Sequence, residues 1–345
     1  SFYSRNGLRQ FVWMKPCAIV LLNYNGETVL PTFLPSVVSH SSHDLWMIDN
    51  ASTDKSLAYV RREFPQVNLI PLESNHGFTG GYNFGLEQLR GQYDYFILIN
   101  TDLEVTPGWD RGLLNFLEEN DSYAAAQPKI LSWKDKSNFD YAGAGGGFLD
   151  ALGYPYCRGR IWNHLEQDQG QYDDTVEVDW ASGACMAIRS DDFFAQQGFD
   201  LDFFAHMEEI DLCWRLRQSG RKIGYLGSVT VYHLGGATLD RGSSRKLYLN
   251  IRNSLSMVNK NVGTMRFMGT FLVKAGLEGM AALQYLLKGQ AGFAKAIVQG
   301  YLDFLTSPKK KQVQIGSTQT CVSTGPVQFI FAHQLFRGVK KFTDL

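Results

Sequence analysis

Short apolar runs alternate with longer amphipathic stretches over the first third of the chain. The runs that predict strands are 17–22, 45–48, 67–70 and 93–100. The stretches that predict helices are 28–39, 57–64, 79–89 and one that begins at about Pro107. Strands that alternate with helices are typical of βαβ units, and almost continuously apolar strands are typical of parallel sheets, which are buried on both faces. The pattern therefore predicts an α/β fold with a mostly parallel central sheet.

The pattern changes in the middle of the chain. Residues 132–176 are rich in glycine and show no clear period, so we expect a long irregular segment of the kind that often forms lids or binding loops. The later elements that we expect are regular structure at 176–188, a helix from about Met207 to Ser219, and two short strands around Gly227 that end at His233.

After about residue 262, apolar side chains recur at helical spacing, with lysines interspersed. We expect residues 1–15 to form an extension, 16–262 one α/β domain, and 263–345 a helical region. No run is apolar enough to span a membrane. Three alternatives stay open for 263–345: packing against the large domain or a second subunit, an amphipathic membrane-surface segment aided by Lys309–Lys311, or a separate binding function.

Composition excludes some classes of protein. The 345 residues carry a net charge of -1, with 19% charged and 44% hydrophobic residues, which is ordinary for a globular protein and gives no basic excess for nucleic acid. The five cysteines are scattered and form no CxxC pair. This argues against a disulfide framework or a structural zinc site and favours a reducing, cytoplasmic location.

Polar clusters follow each of the first four predicted strands, at 23–26, 49–54, 75–81 and 100–102. The carboxyl ends of parallel strands meet at one edge of a sheet, where ligands bind in open α/β folds. We expect Asp102 to hold Mg²⁺ or Mn²⁺ together with a substrate phosphate, and Asp49 to accept a hydrogen bond from a nucleobase. A helix cap at Asp102 and an Asx turn at Asp49 are the structural alternatives.

Glycine and acidic clusters add to this edge. Gly77, Gly80 and Gly81 either let the backbone approach a ligand or form a simple turn. Glu208, Glu209 and Asp211 begin a predicted helix, where carboxylates also complement the helix dipole. Two phenylalanines lie a few residues ahead of them, and apolar surroundings favour a general base because they raise the pKa of a carboxyl group.

Taken in order, these clusters resemble the motif series of family 2 glycosyltransferases over roughly residues 16–260. The resemblance is greatest to bacterial rhamnosyltransferase-like members that build cell-surface polysaccharides. The segments that carry it are 20–26, 48–54, 75–78, 98–102, 198–200, 208–211 and 252–253. It implies a GT-A-type fold, a nucleotide-diphosphate-sugar donor, Mg²⁺ or Mn²⁺, and a saccharide or lipid-linked saccharide acceptor.

The resemblance also implies roles for individual residues. The nucleotide-binding candidates are Asn23, Tyr24, Asn25, Asp49, Asn75, Gly77, Gly81 and Asn100. Asp102 and His233 are the metal candidates, although His233 also has the alternative of a satisfied strand-end histidine. Glu209 is the candidate catalytic base, with Glu208 second. Asp211 and Arg215, one helical turn apart, are expected to form an ion pair.

The sequence departs from the family pattern at two positions. The family commonly writes its metal motif Asp-x-Asp, whereas this chain has Asn100 at the first position. The family usually has aspartate as base where this chain has Glu209. A catalytically inactive carbohydrate- or nucleotide-binding relative and a sugar nucleotidyltransferase are therefore kept as alternatives to an inverting transferase.

Placement and partners follow from the same resemblance. We expect a cytoplasmic enzyme that contacts the inner face of the plasma membrane peripherally. We also expect it to form a homo-oligomer. From their positions alone, 143–147 and Trp180–Cys185 are expected to line the acceptor cleft.

Overall fold

The computed structural model describes residues 15–235, 243–307 and 323–345. Its strands are β1 (Lys15–Asn23), β2 (Asp44–Asp49), β3 (Asn68–Pro71), β4 (Tyr93–Asn100), β5 (Leu103–Val105), β6 (Tyr123–Ser132), β7 (Gly147–Leu149), β8 (Pro155–Cys157), β9 (Arg160–Ile161), β10 (His164–Leu165), β11 (Thr175–Val178), β12 (Cys185–Arg189) and β13 (Lys222–His233). Its helices are α1 (Leu30–His40), α2 (Ser56–Glu63), α3 (Gly77–Gln88), α4 (Trp109–Glu119), α5 (Ser190–Ala195), α6 (Glu208–Gln218), α7 (Ser244–Asn261), α8 (Thr264–Leu287), α9 (Ala291–Thr306) and α10 (Ile330–Arg337).

The large sheet has the strand order β11-β13-β6-β12-β4-β1-β2-β3, with β5 paired to β13. β1 runs parallel to β2 and β4, and β2 runs parallel to β3. β12 lies antiparallel between β4 and β6, and β6 runs parallel to β13. The predicted α/β class and mostly parallel sheet are confirmed, and the first four predicted strand ends do lie on one edge.

The central strands pack on both faces. Val20 and Leu98 belong to one hydrophobic cluster, whereas Leu21 and Ile97 belong to another. Successive side chains of a strand point to opposite faces of the sheet, so each cluster covers one face. This burial explains why these strands are continuously apolar rather than alternating.

The middle of the chain corrects the sequence prediction. Residues 132–176 are not one irregular segment, because β7 to β10 form a separate four-stranded antiparallel sheet. The two strands expected around Gly227 are one strand, β13, with a shift in register between Leu226 and Thr230. The short helix α5 was not expected.

The carboxy-terminal part of the described chain is helical, as expected. α7 packs against α6 and α9, and α8 packs against α9. Within the described ranges, none of the helices has the length and apolar character needed to cross a membrane. The division at residue 262 stays a prediction. Residues 1–14 and Lys309–Lys311, for which we made predictions above, lie outside the described residues.

Candidate active site

Side-chain hydrogen bonds tie the ends of β1 and β2 together. Asn23 Nδ2 donates to Asp49 Oδ1 at 2.8 Å. Ser52 also donates to Asp49, through its hydroxyl at 2.6 Å and its backbone N–H at 3.1 Å. Asn25 Oδ1 accepts from the backbone N–H of Thr53 at 2.8 Å. Asp49 therefore shapes its own turn, in the manner of the Asx alternative, and its role toward a nucleobase stays a prediction.

The end of β3 joins the same network. Asn50 Nδ2 donates to Asn75 Oδ1 at 3.0 Å and to the carbonyl oxygen of Gly77 at 2.9 Å. Asn50 Oδ1 accepts from the backbone N–H of His76 at 2.9 Å. The side chain of Tyr24 stands at the rim of this edge, 43% exposed. The candidates Asn23, Tyr24, Asn25, Asp49 and Asn75 thus lie on neighbouring strand ends.

Two of the candidate glycines are required by packing of the chain itself. Gly77 has a φ of +69°, and a Cβ there would lie 2.5 Å from the ring of Phe204. A Cβ on Gly81 would lie 2.7 Å from the side chain of Leu22. Larger residues would displace these neighbours, and close approach of a ligand to either backbone stays a prediction.

The metal candidates meet across the sheet. β13 pairs with β5 in the register that sets His233 opposite Leu103, next to Asp102. His233 Nε2 lies 3.2 Å from Asp102 Oδ1, and His233 Nδ1 lies 3.2 Å from Asp140 Oδ2. All three side chains are buried. Asn100 ends β4, two residues before Asp102, and is half-buried.

The charge on His233 depends on its two carboxylate neighbours. Burial disfavours the protonated ring, but the hydrogen bonds to Asp102 and Asp140 outweigh burial and raise the pKa of His233 to about 10. A divalent cation at Nε2 would have to displace that proton. A histidine whose other ring nitrogen is held by a carboxylate is the usual arrangement around protein-bound metals.

The donor set fits a divalent cation that takes its other ligands from phosphate and water. Asp102 Oδ1 and His233 Nε2, which lie 3.2 Å apart, are an oxygen donor and a nitrogen donor for a metal. Among the described residues, no cluster of three or more His, Cys, Asp or Glu side chains could hold a metal ion. Mg²⁺ is commonly bound through one or two carboxylates plus substrate phosphates, not by an all-protein cage.

A strained segment leads into α6. Phe204, His206 and Met207 all have positive φ, at 60°, 71° and 71°. A backbone in this conformation costs on the order of 1–3 kcal/mol per residue. It persists only where neighbouring groups hold it, and it is often found at functional sites. Glu208 and Glu209 follow directly and begin the helix. The segment 203–207, which we call the base loop, therefore sets the position of both carboxylates.

Hydrogen bonds from two residues, Asn253 and Phe78, hold the base loop. Asn253, fully buried in α7, donates through Nδ2 to the carbonyl oxygens of Phe203, Ala205 and His206 at 3.0, 2.9 and 2.8 Å. The carbonyl oxygen of Phe204 accepts from the backbone N–H of Phe78 in α3 at 2.8 Å. The loop is thus fixed between α7 and the first turn of α3.

The two glutamates differ in exposure. Glu208 is 4% exposed, whereas Glu209 is half-buried. The Oε2 atom of each has no hydrogen-bond partner among the described residues. Burial raises the pKa of both carboxyl groups, for Glu208 well above its ordinary value, while backbone hydrogen bonds and then Lys246 act to lower the pKa of Glu209. Glu209 is the more exposed of the two residues, and its role as the proton acceptor stays a prediction.

The expected ion pair between Asp211 and Arg215 is confirmed. Arg215 Nε lies 2.8 Å from Asp211 Oδ2, and Lys260 Nζ lies 2.8 Å from the same oxygen. Asn261 Nδ2 donates to Asp211 Oδ1, also at 2.8 Å. Asp211 therefore anchors α6 to α7 and is not a further candidate base.

Tyr141, Asn163, Leu165 and Lys246 line a cavity of about 220 Å³. The Arg160 guanidinium lies 4.3 Å from the centre of the Tyr141 ring, and Lys246 Nζ lies 5.4 Å from it. Tyr141 directly follows Asp140. The segments 143–147 and Trp180–Cys185 are buried, and a Cβ on Gly183 would lie 3.7 Å from Cβ of Glu209. That these segments line the acceptor cleft stays a prediction.

Four residues at this site received no role from the sequence. Asp140 and Tyr141 fall in the segment without periodicity, so no sequence signal marks them. Lys246 lies at the start of a helix and resembles any surface lysine. Asn253 belongs to a motif that resembles the family, but the motif does not indicate what the side chain contacts.

The polar strand edge, the carboxylate–histidine pair and the carboxylates after the base loop match the arrangement expected of a glycosyltransferase that uses a nucleotide-sugar donor. Residues 18–193 match the Glycosyl transferase family 2, and this span is half of the chain. The chain belongs to that family.

Curated relatives agree with this assignment. The chain is 24% identical to the low-salt glycan biosynthesis hexosyltransferase Agl10 of Haloferax volcanii over 258 residues, 72% of this chain and 79% of the relative. It is 27% identical to the N-acetylglucosaminyl-diphospho-decaprenol L-rhamnosyltransferase of Mycobacterium tuberculosis over 233 residues, 62% of this chain and 75% of the relative.

Solved structures share the fold. The mannosyltransferase PcManGT of Pyrobaculum calidifontis, in complex with GDP-Man and Mn²⁺, aligns with a TM-score of 0.52 and 11% identity, over 86% of this chain and 89% of that one. Residues 1–349 of TarS from S. aureus, in complex with UDP-GlcNAc, align with a TM-score of 0.53 and 14% identity, over 83% and 81%. The expected GT-A-type fold is confirmed.

Proposed function

We propose that this glycosyltransferase works by a single inverting displacement in cell-surface polysaccharide synthesis. It would move a sugar from a nucleotide-diphosphate sugar to a hydroxyl of a saccharide or lipid-linked saccharide. The observation that carries the proposal is the presence of two groups of side chains in one fold. Asp102 and His233 form a buried acid–histidine pair at the strand edge, and Glu209 follows a strained loop fixed beside α3.

In the proposed step, Glu209 accepts the proton of the acceptor hydroxyl. The hydroxyl oxygen forms a bond to the anomeric carbon from the face opposite the nucleotide. The bond from that carbon to the diphosphate oxygen breaks, and the nucleoside diphosphate leaves with the electron pair. A base is most effective when its pKa is near the working pH, and burial moves the pKa of Glu209 upward in that direction.

The leaving diphosphate needs positive charge. Asp102 and His233 would hold Mg²⁺ or Mn²⁺, which when bound supplies Lewis acidity and a template for the diphosphate. Asp140 orients the His233 ring through Nδ1. Asp49, with the side chains of Asn23 and Asn75 on the adjoining strand ends, is proposed to hold the nucleotide.

The cavity beside Tyr141 and Lys246 is the proposed acceptor site. Tyr141 supplies a flat aromatic wall, a surface that suits a sugar ring, and Lys246 supplies a cation that suits an anionic acceptor. A relative named for transfer to a diphospho-decaprenol acceptor supports a lipid-linked acceptor for this chain. Such a substrate favours a cytoplasmic enzyme attached peripherally to the inner face of the plasma membrane. Self-association stays a prediction.

A thermal-shift screen of nucleoside diphosphates with Mg²⁺ and Mn²⁺ tests the proposal. A ligand that binds only the folded state stabilises it by mass action, by about 2.7 kcal/mol at a concentration of 100 times its Kd. The melting temperature rises accordingly. We expect one uridine, thymidine or guanosine diphosphate to stabilise the protein, and more strongly with metal. No shift with any nucleotide would contradict the proposed donor site.

A further inference from the structure

Two carboxy-terminal helices that pack against each other expose many apolar side chains. On α8 the side chains are 49–88% exposed, and on α9 they are 50–59% exposed. The residues are Met265, Met268, Leu272, Val273, Met280, Leu283, Leu286 and Leu287 of α8, and Val298, Leu302 and Leu305 of α9. We call this surface the α8–α9 face. α8 has 24 residues, so the face is about 36 Å long at 1.5 Å per residue. Apolar patches of this size mark interaction sites.

The rotation of α8 is fixed by polar groups on its other side. Lys274 is fully buried, with Nζ 3.3 Å from Glu278 Oε1 and 3.3 Å from the centre of the Tyr154 ring. Tyr154 and Tyr301 donate to the two oxygens of Glu278, each at 2.7 Å. Lys274 lies about 180° around the helix from Met265 at 100° per residue. Turning the apolar stripe inward would therefore break a buried ion pair.

The charged side chains of α8 and α9 that are fully exposed are all positive. Arg266, Lys288 and Lys295 are exposed. The acidic residues of the two helices are Glu278, which is buried, and Asp303, which accepts hydrogen bonds from Tyr248 and Gln299. A face of apolar side chains bordered by cations complements an anionic lipid surface. Two copies placed face to face would set cations against cations.

We infer that the α8–α9 face docks on an anionic membrane surface, with both helices lying in the plane of the interface. A groove of about 190 Å³ between them, lined by apolar side chains that include Ile297 and Leu302, suits an acyl chain. α7 packs against α9 and also holds the base loop through Asn253, so one helix joins the docked surface to the site. The purpose of docking rests on the proposed lipid-linked acceptor, but docking itself does not.

Co-sedimentation of the full chain with vesicles tests this inference. The probes are phosphatidylcholine vesicles and vesicles with about one third phosphatidylglycerol. We expect binding to the anionic vesicles and much less to the neutral ones. The double variant Leu272→Gln and Leu283→Gln should lower the vesicle affinity at least about tenfold, because each leucine loses its apolar contact with lipid. The control double variant Leu201→Gln and Phe329→Gln, which changes exposed apolar residues elsewhere, should bind as the wild type does.

A charge-reversed variant separates the electrostatic part. Arg266→Glu, Lys288→Glu and Lys295→Glu together should remove the preference for anionic vesicles. Absence of wild-type binding, or equal binding by the Leu272/Leu283 variant, would overturn the inference. So would a wild-type dimer in light scattering that this variant converts to a monomer. Melting curves establish that each variant folds. Nucleotide binding in the thermal-shift screen tests the proposed function separately, since the Leu272/Leu283 variant should retain it.

Discussion

Asn253→Ala should release the base loop and lose most of the turnover while donor binding is largely kept. Asn253 is a positioning residue, since its amide contacts three carbonyls of the base loop and neither glutamate side chain. The loop holds Phe204, His206 and Met207 at positive φ, a backbone that relaxes when its contacts are removed. The carboxylates that follow would then lose their fixed position.

The size of the effect follows from the hydrogen bonds. One amide group has two N–H bonds, so the three contacts at 2.8–3.0 Å amount to two or three hydrogen bonds. Each contributes about 0.5–1.5 kcal/mol net, so their sum is on the order of 1–4 kcal/mol. Since 1.4 kcal/mol is a factor of ten, the ratio of placed to displaced loop should fall about 5–700-fold, and kcat should fall by up to that factor.

The assay compares kcat with the Kd for the nucleoside diphosphate. We expect kcat to fall and the Kd to change less than threefold (roughly a 0.6 kcal/mol limit), because Asn23, Asp49 and Asn75, the side chains proposed to hold the nucleotide, are not part of the base loop. Asn68→Ala is the matched control, because it removes a hydrogen bond of 3.1 Å from the side-chain amide of Asn68 in β3 to the carbonyl oxygen of Leu45. Normal kcat in Asn253→Ala, with an unchanged melting temperature, would refute the loop-positioning role.

Three further changes test the neighbouring groups. Asp102→Ala should abolish transfer without changing the circular dichroism spectrum, and near-normal turnover with metal present would exclude its metal role. Asp140→Asn should lower Mn²⁺ affinity by about 10–100-fold, measured by metal titration of turnover, because a weaker partner orients His233 less well; unchanged affinity would remove Asp140 from the site. Burial raises the pKa of Glu208, so its carboxyl group costs stability only above its unfolded pKa of 4.5. Glu208→Gln should therefore raise the melting temperature at neutral pH, and the difference from the wild type should disappear below pH 4.5. Equal melting temperatures of the two proteins at neutral pH would count against this interpretation.

The strand edge could be predicted because it depends on periodicity and topology. Four apolar runs gave the strands, and parallel pairing brings their carboxyl ends together whatever the details of the loops. Asp102 lies between β4 and β5, and His233 ends β13 in the same sheet, so their pairing follows from a long-range register between β5 and β13. The sequence marks each strand end, but it does not reveal that register.

Other parts of the site could not be predicted, for physical reasons. β9 and β10 have two residues each, which is too short to carry a period, so 132–176 resembled a loop and Asp140 went unnoticed. The apolar spacing of α8 predicts a helix but not which side faces the protein. A buried Lys274 decides that orientation, and lysine is ordinarily an indicator of the exposed side.

The most direct test of the central claim is the turnover of Glu209→Gln beside its donor affinity. If Glu209 accepts the proton of the acceptor hydroxyl, the variant should bind the nucleotide sugar as the wild type does and lose transfer by at least about 100-fold. Wild-type kcat should fall as the pH drops through the raised pKa of Glu209, since the protonated carboxyl group cannot accept a proton. Transfer by Glu209→Gln at the wild-type rate would contradict the account and place the base elsewhere.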